Sequence, residues 1–130
     1  MTSARQSAAG QVAFAIARNS YHGRRESHVQ DAVEQVLQAA FGADRVSREV
    51  RRGADRFDFT VAHELGVLVV VEIKVRGSRA DALMQCTRYL ERYDDVGGLV
   101  CASRKPQVVA GWPGELLGRP VRAVVLRSWP

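Results

Sequence analysis

Cysteine and lysine are scarce in this 130-residue chain, and aromatic residues make up only 7% of it. Each shortage excludes something. The two cysteines, Cys86 and Cys101, lack C-x-x-C spacing, which argues against a zinc site and against a disulfide framework. One falls in a helical pattern and the other in an apolar strand, so buried free thiols are expected. No apolar run reaches the roughly 20 residues that a membrane helix needs. The mildly apolar stretch from Ala8 to Ala17 is interrupted by Gln11 and has weak signal-peptide flanks. A cytoplasmic protein without a membrane partner is expected. There is no Gly-rich phosphate loop, zinc finger, recognition-helix signature, repeat or low-complexity tract. His22, His28 and His63 show no metal-ligand spacing.

Arginine is abundant. The chain has 17 arginines and two lysines, Lys74 and Lys105, and a net charge of +5. A basic balance favours a polyanionic partner, nucleic acid first. Arg24, Arg25, Arg48, Arg51, Arg52, Arg56, Arg76 and Arg79 bracket one short stretch. Contacts of this kind hold phosphate without reading sequence. Lys74 stands out in an arginine-writing chain, because a lysine ammonium can touch a single oxygen where the arginine fork cannot. A chance lysine at a strand end is the plain alternative.

The pattern predicts a mixed α/β fold. Residues 1–20 are Ala-rich and read as an N-terminal arm or short helix, and residues 21–130 as a single domain. Glu26 to Phe41 is helical, with Val29, Ala32, Val33, Val36, Leu37 and Ala40 at the helical period and Gly42 as terminator. Val46 to Arg52 reads as an edge strand. Arg56–Ala62 and Val67–Val75 form a hairpin, the second strand apolar on both faces and hence central. Ser78 opens a helix over Arg79–Tyr93, with Asp81 completing a capping-box-like pair. Val96–Ala102 is a buried strand, Pro113 starts a helical turn, and Val121–Arg127 is a last strand.

Two carboxylates and an ammonium fall within this predicted sheet. Glu72 and Lys74 share one face of their strand and Ile73 takes the other. Phe57 and Phe59 flank Asp58, which places both aromatics on one side and the acid on the other. A Glu64-Leu65-Gly66 loop with Gly66 at positive φ pairs His63 with Val67, and hence Asp58 with Glu72. Opposed Cβ atoms lie about 4.5–5.5 Å apart. Two carboxylates that close repel unless a cation intervenes, and oxygen-only ligands favour Mg²⁺ or Mn²⁺. A metal with an adjacent ammonium is equipment for phosphodiester hydrolysis. A structural Asp–Lys or Glu–Lys ion pair is the competing reading.

At these residues the chain resembles the PD-(D/E)XK nuclease superfamily: Asp58 on one strand, then Glu72-Ile73-Lys74 on the next, within the expected element order. The resemblance covers roughly residues 24–102. It departs in having Phe57 where proline often precedes the acid. It implies a restriction-endonuclease-like α-β-β-β-α-β core with a mixed central sheet flanked by helices, in a nuclease-like domain over residues 21–130. It implies Asp58, Glu72, Lys74 and Gln85 as catalytic residues. It implies Glu26, Asp58, Glu72 and Ile73 as the metal set, with Glu34 the rival of Glu26 on the first helix. Gln85-Cys86-Thr87-Arg88-Tyr89 is similar to the Q-x-x-x-Y element of RecB-like exonucleases. The DNA-contacting set is then Arg24, Arg25, Arg51, Arg52, Arg56, Arg76, Arg79 and Tyr89. The expected activity is a Mg²⁺- or Mn²⁺-dependent deoxyribonuclease, structure- or end-directed. It would be like Holliday junction resolvases, which act as homodimers, like stand-alone phage or repair nucleases, or like RecB. A nuclease-like module that binds nucleic acid or a partner without cutting is the alternative. A basic α/β domain whose E-I-K is accidental is a third reading.

Overall fold

The structure, a computed structural model, describes residues 3–23 and 25–128. Its elements are α1 (Ala4–Ala17), α2 (Glu26–Phe41), β1 (Val46–Arg52), β2 (Asp55–His63), β3 (Val67–Lys74), α3 (Arg79–Arg92), β4 (Val96–Ser103), α4 (Pro106–Val109), β5 (Glu115–Leu116) and β6 (Arg119–Val125). The strands form one six-stranded sheet in the order β1-β2-β3-β4-β6-β5. Strands β1 to β3 are antiparallel, β4 runs parallel to β3, and β6 runs parallel to β4. The fold is therefore α/β, with a mixed sheet between flanking helices. None of the helices among the described residues is long and apolar enough to cross a membrane.

Ala4–Ala17 take the helical option, and the helix is part of the core. Ser3 and Gln6 cap α1 reciprocally. Ala8, Ala9, Val12 and Ile16 are buried. Gly98 on β4 lets the helix lie this close, since a Cβ there would stand 3.2 Å from that of Ala9. Helices α1 and α2 cover one face of the sheet, over Phe59, Val61, Val69, Val71 and Ile73. Helices α3 and α4 cover the other, over Phe57, Val70, Leu99, Cys101 and Val121. Cys86 and Cys101 are free and buried.

Two expectations are corrected here. The helical turn after β4 starts at Pro106, at the first helical position where its missing N–H costs nothing, and not at Pro113. The aromatics flanking Asp58 also separate: Phe59 packs beneath α2, and Phe57 packs on the edges of Tyr89 and Tyr93 from α3. Strict alternation fails because the β1–β2 ladder skips one pair. Arg48 faces Phe59 and Val50 faces Phe57, but Glu49, at φ 54°, and Asp58 between them are not paired. The left-handed residue twists the ribbon there.

A buried carboxylate joins β2 to α3. Asp55 receives the Tyr93 hydroxyl (2.6 Å) and Arg92 (2.9 Å), with Arg88 3.4 Å away. The Tyr93 hydroxyl above all, then Arg92, hold its carboxyl below the ordinary range against the opposing effect of burial. Its contribution to stability is complete above the unfolded value of about 3.9 and is lost as pH falls through the folded value. Asp55→Asn should lower stability at pH 7 by about 1–3 kcal/mol. Thermal melts should show this deficit shrinking as the pH falls below the unfolded value of about 3.9; a deficit that ignores pH would mean that shape, not charge, is what Asn fails to supply.

Candidate active site

Strands β2 and β3 pair from the hairpin loop as far as Phe59 and Val71, and then part. The loop is the expected one: Gly66 has φ 78°, its N–H bonds the His63 carbonyl, and His63 pairs with Val67. Beyond the last pair each strand follows another neighbour, β2 along β1 and β3 along β4. Carboxylates bridge the gap where main-chain bonds stop. The Asp58 N–H donates to Glu72 Oε1 (3.1 Å), and the Ile73 N–H donates to Asp58 Oδ2 (2.8 Å). Asp58 and Glu72 therefore lie side by side, as the register anticipates, each anchored through one oxygen. Neither Asp58 Oδ1 nor Glu72 Oε2 has a hydrogen-bond partner among the described residues.

Those residues line a pocket of about 280 Å³ together with Glu26, Arg56, Ile73, Lys74, Val75, Arg76 and Gln85. Asp58 is 8% exposed and Glu72 2%. Burial, reinforced by the charge of Asp58, raises the Glu72 carboxyl well above its ordinary value. Burial, with a further push from Glu26, raises Asp58, although the Ile73 N–H, Lys74 and Arg56 act in the opposite direction. Among the described residues no ion pair within 4 Å joins Lys74 to either acid. The structural Asp–Lys or Glu–Lys bridge is thus not formed, and the half-buried ammonium faces the pocket.

Each expected residue can now be placed. Glu26, at the first turn of α2, lines the pocket, whereas Glu34 bonds Arg48 (3.3 Å) and is out of contention. The Ile73 side chain is in the core beside α2, so Ile73 can serve the pocket only through its main chain. Gln85 lines the pocket, but Tyr89 is 1% exposed and cannot lie against DNA. Its hydroxyl spends its proton on the Arg56 carbonyl (3.1 Å) and accepts from Gln85 Nε2 (2.7 Å). The Gln85 carbonyl oxygen is thereby left for the pocket. Tyr89 corrects to a residue that orients Gln85.

The arginines divide similarly. Arg56 and Arg76 line the pocket, and Arg25 and Arg51 are exposed. Arg52 is instead bound to Asp95 (2.8 and 2.5 Å) and stacked over Phe57 and Tyr93. Arg79 donates to the carbonyls of Ala110 and Gly111 and ties α3 to the segment after α4. Arg48 is held by Asp31, Glu34 and Gln30 on α2. Arg24 lies outside the described residues. His63 is buried and bonded to Gln11 and the Leu65 N–H, in line with its lack of a metal pattern. The sequence reading missed the buried Asp55 cluster and the left-handed Glu49. An acid in a Gly-Ala-Asp turn and a glutamate in an arginine-rich strand look like ordinary surface residues.

Residues 8–101 match a domain family of unknown function, DUF8371. The chain belongs to this family. The match runs from within α1 to Cys101 on β4 and takes in every acid of the pocket together with Lys74 and Gln85. No curated protein and no solved structure matches the chain.

Among the described residues of this DUF8371 chain, no three His, Cys, Asp or Glu side chains converge as a ready-made metal cage. The donor set fits a hard cation held by two carboxylates, the rest of its shell coming from water and phosphate, as Mg²⁺ is usually bound. Both acids lose more than they gain from ionising without such a cation. A raised carboxylate value means that ionisation opposes folding once pH exceeds the unfolded value of about 4.3. In metal-free buffer Glu72→Gln should therefore raise stability by roughly 1–3 kcal/mol at pH 7 and less at pH 4. Melts at the two pH values measure this, and destabilisation by the neutral isostere would return Glu72 to a structural role.

Proposed function

We propose that this chain is a divalent-metal-dependent deoxyribonuclease on a restriction-endonuclease-like core, related to the PD-(D/E)XK nucleases, that hydrolyses phosphodiester bonds. One observation carries the reading. Two buried carboxylates, Glu72 held by the Asp58 N–H and Asp58 by the Ile73 N–H, each turn a free oxygen to a pocket that also receives a lysine with no ion pair among the described residues. Burying two neighbouring carboxylates costs stability that their main-chain hydrogen bonds offset only in part.

The division of labour follows from the geometry. Asp58 and Glu72 would hold Mg²⁺ or Mn²⁺, with Glu26 at the pocket rim acting directly or through water and Ile73 through its main chain. When bound, such a cation supplies a more acidic water and a polarised phosphoryl oxygen. Lys74 lies next to the acids and offsets the charge that develops on the phosphoryl oxygens, or orients the attacking water. Gln85, its amide fixed by Tyr89, presents a carbonyl oxygen that accepts from the water or from the Lys74 ammonium. Arg56 and Arg76 supply positive charge to a phosphate-bearing strand. The pocket is open and polar and has no aromatic wall for stacking a base among the described residues, which suits the sugar–phosphate backbone better than a flipped nucleotide.

The test is cleavage of linear duplex, single-stranded, flap and four-way-junction DNA with Mg²⁺, Mn²⁺ or EDTA. Cutting should require the metal, and Lys74→Ala should lower kcat by about 10²-fold or more with DNA binding retained. The preferred DNA separates a junction-directed enzyme from an end-directed one. Binding without cutting on every substrate would make this a non-catalytic nucleic-acid module.

A further inference from the structure

Strand β1 carries a charge arrangement that the free protein has no use for. In the β1–β2 ladder Arg51 is paired with Arg56. Residues directly opposed in an antiparallel pair project from the same face, with Cβ atoms about 4.5–5.5 Å apart, and like charges there are destabilising. Both side chains are exposed, and no ion pair engages either of them among the described residues. The neighbouring pairs are handled differently. Val50 and Phe57 are packed beneath α3, and Arg52 and Asp55 have partners of opposite charge there. The Arg51–Arg56 pair alone is left open. Arg56 is itself a wall of the acidic pocket.

We propose that Arg51 and Arg56 form a clamp for one phosphate of a DNA strand, the one next to the phosphate in the acidic pocket. The inference rests on the nuclease reading and deepens it, by giving the site a second phosphate subsite. Two guanidinium groups side by side offer several parallel N–H donors to one phosphate, a geometry that lysine cannot supply. A bound phosphate also removes the repulsion between them. The strand enters over the β1–β2 turn, reaches Arg56, and continues into the pocket towards Lys74 and Arg76. A substrate lacking the flanking phosphate forfeits the clamp.

Single methylphosphonate linkages, which remove one phosphate charge, test this when walked across the preferred cleavage site. One position beside the scissile bond should raise the wild-type KM about tenfold with kcat nearly unchanged. In Arg51→Ala, which keeps Arg56, the same linkage should add a clearly smaller loss, because half of the clamp is already gone. Equal losses in wild type and variant at every position would overturn the clamp. A binding arm in EDTA stands apart from catalysis. There the slope of log Kd against log salt should fall by about 0.7–0.9 in Arg51→Ala, one phosphate's worth; an unchanged slope overturns the clamp. A reduced slope in a protein that cuts nothing would leave the clamp standing and remove the nuclease. Arg51→Glu serves as the folding control: with an opposed acid–base pair it should melt above wild type while binding DNA more weakly.

Discussion

The site depends on the parting of β2 and β3. A hairpin that stayed paired to its open end would spend the main-chain groups of Asp58, Glu72 and Ile73 on one another and leave no room between the strands. Here the ladder stops at Phe59 and Val71, and two side-chain carboxylates take over the bonding. Each acid satisfies a main-chain N–H that would otherwise be orphaned in a buried position, which is costly. The same bonds fix each carboxylate in one orientation. The opening is therefore held by the groups that it exposes.

The fold pulls the strands apart by giving each another partner. Strand β3 continues along β4, with Glu72 beside Cys101 and Lys74 beside Ser103. Strand β2 continues along β1, past the unpaired Glu49 and Asp58, and is tied to α3 through Asp55 with Tyr93 and Arg92. The twist at Glu49 sends Phe57 and Phe59 to opposite cores, so β2 is gripped from both faces on either side of Asp58. These contacts offset the electrostatic cost of two neighbouring carboxylates and of two opposed arginines. Charged residues that serve stability, such as Arg48, Arg52 and Asp55, have partners. Those around the pocket, such as Lys74, Arg51 and Arg56, lack ion pairs among the described residues.

Much of the architecture was legible in the sequence. The helix Glu26–Phe41, the edge strand Val46–Arg52 and the Ser78-capped helix α3 follow from periodicity and caps, which are local properties of the chain. The side-by-side placement of Asp58 and Glu72 followed from the loop Glu64-Leu65-Gly66, because a short hairpin loop sets the register of everything beyond it. The start of the helical turn at Pro106 rather than at Pro113 was not legible, because a proline suits a first helical position wherever it stands and only the packing of α4 on the sheet selects one. The position of α1 in the core was not legible, since a stripe of alanines buries little surface and depends on Gly98 across from it.

The sequence by itself determined which residues make up the candidate site: an acid, then an acid and a lysine one pleat apart, on two strands joined by a tight loop. It determined this because alternation and register are short-range constraints. Only the tertiary structure decided what each charge is for. Tyr89 turned inward because α3 packs against Phe57, Arg52 and Arg79 were consumed by Asp95 and by the carbonyls after α4, and Lys74 was left without an ion pair among the described residues. Those outcomes depend on which groups from distant parts of the chain arrive beside them, and spacing along the chain does not encode that.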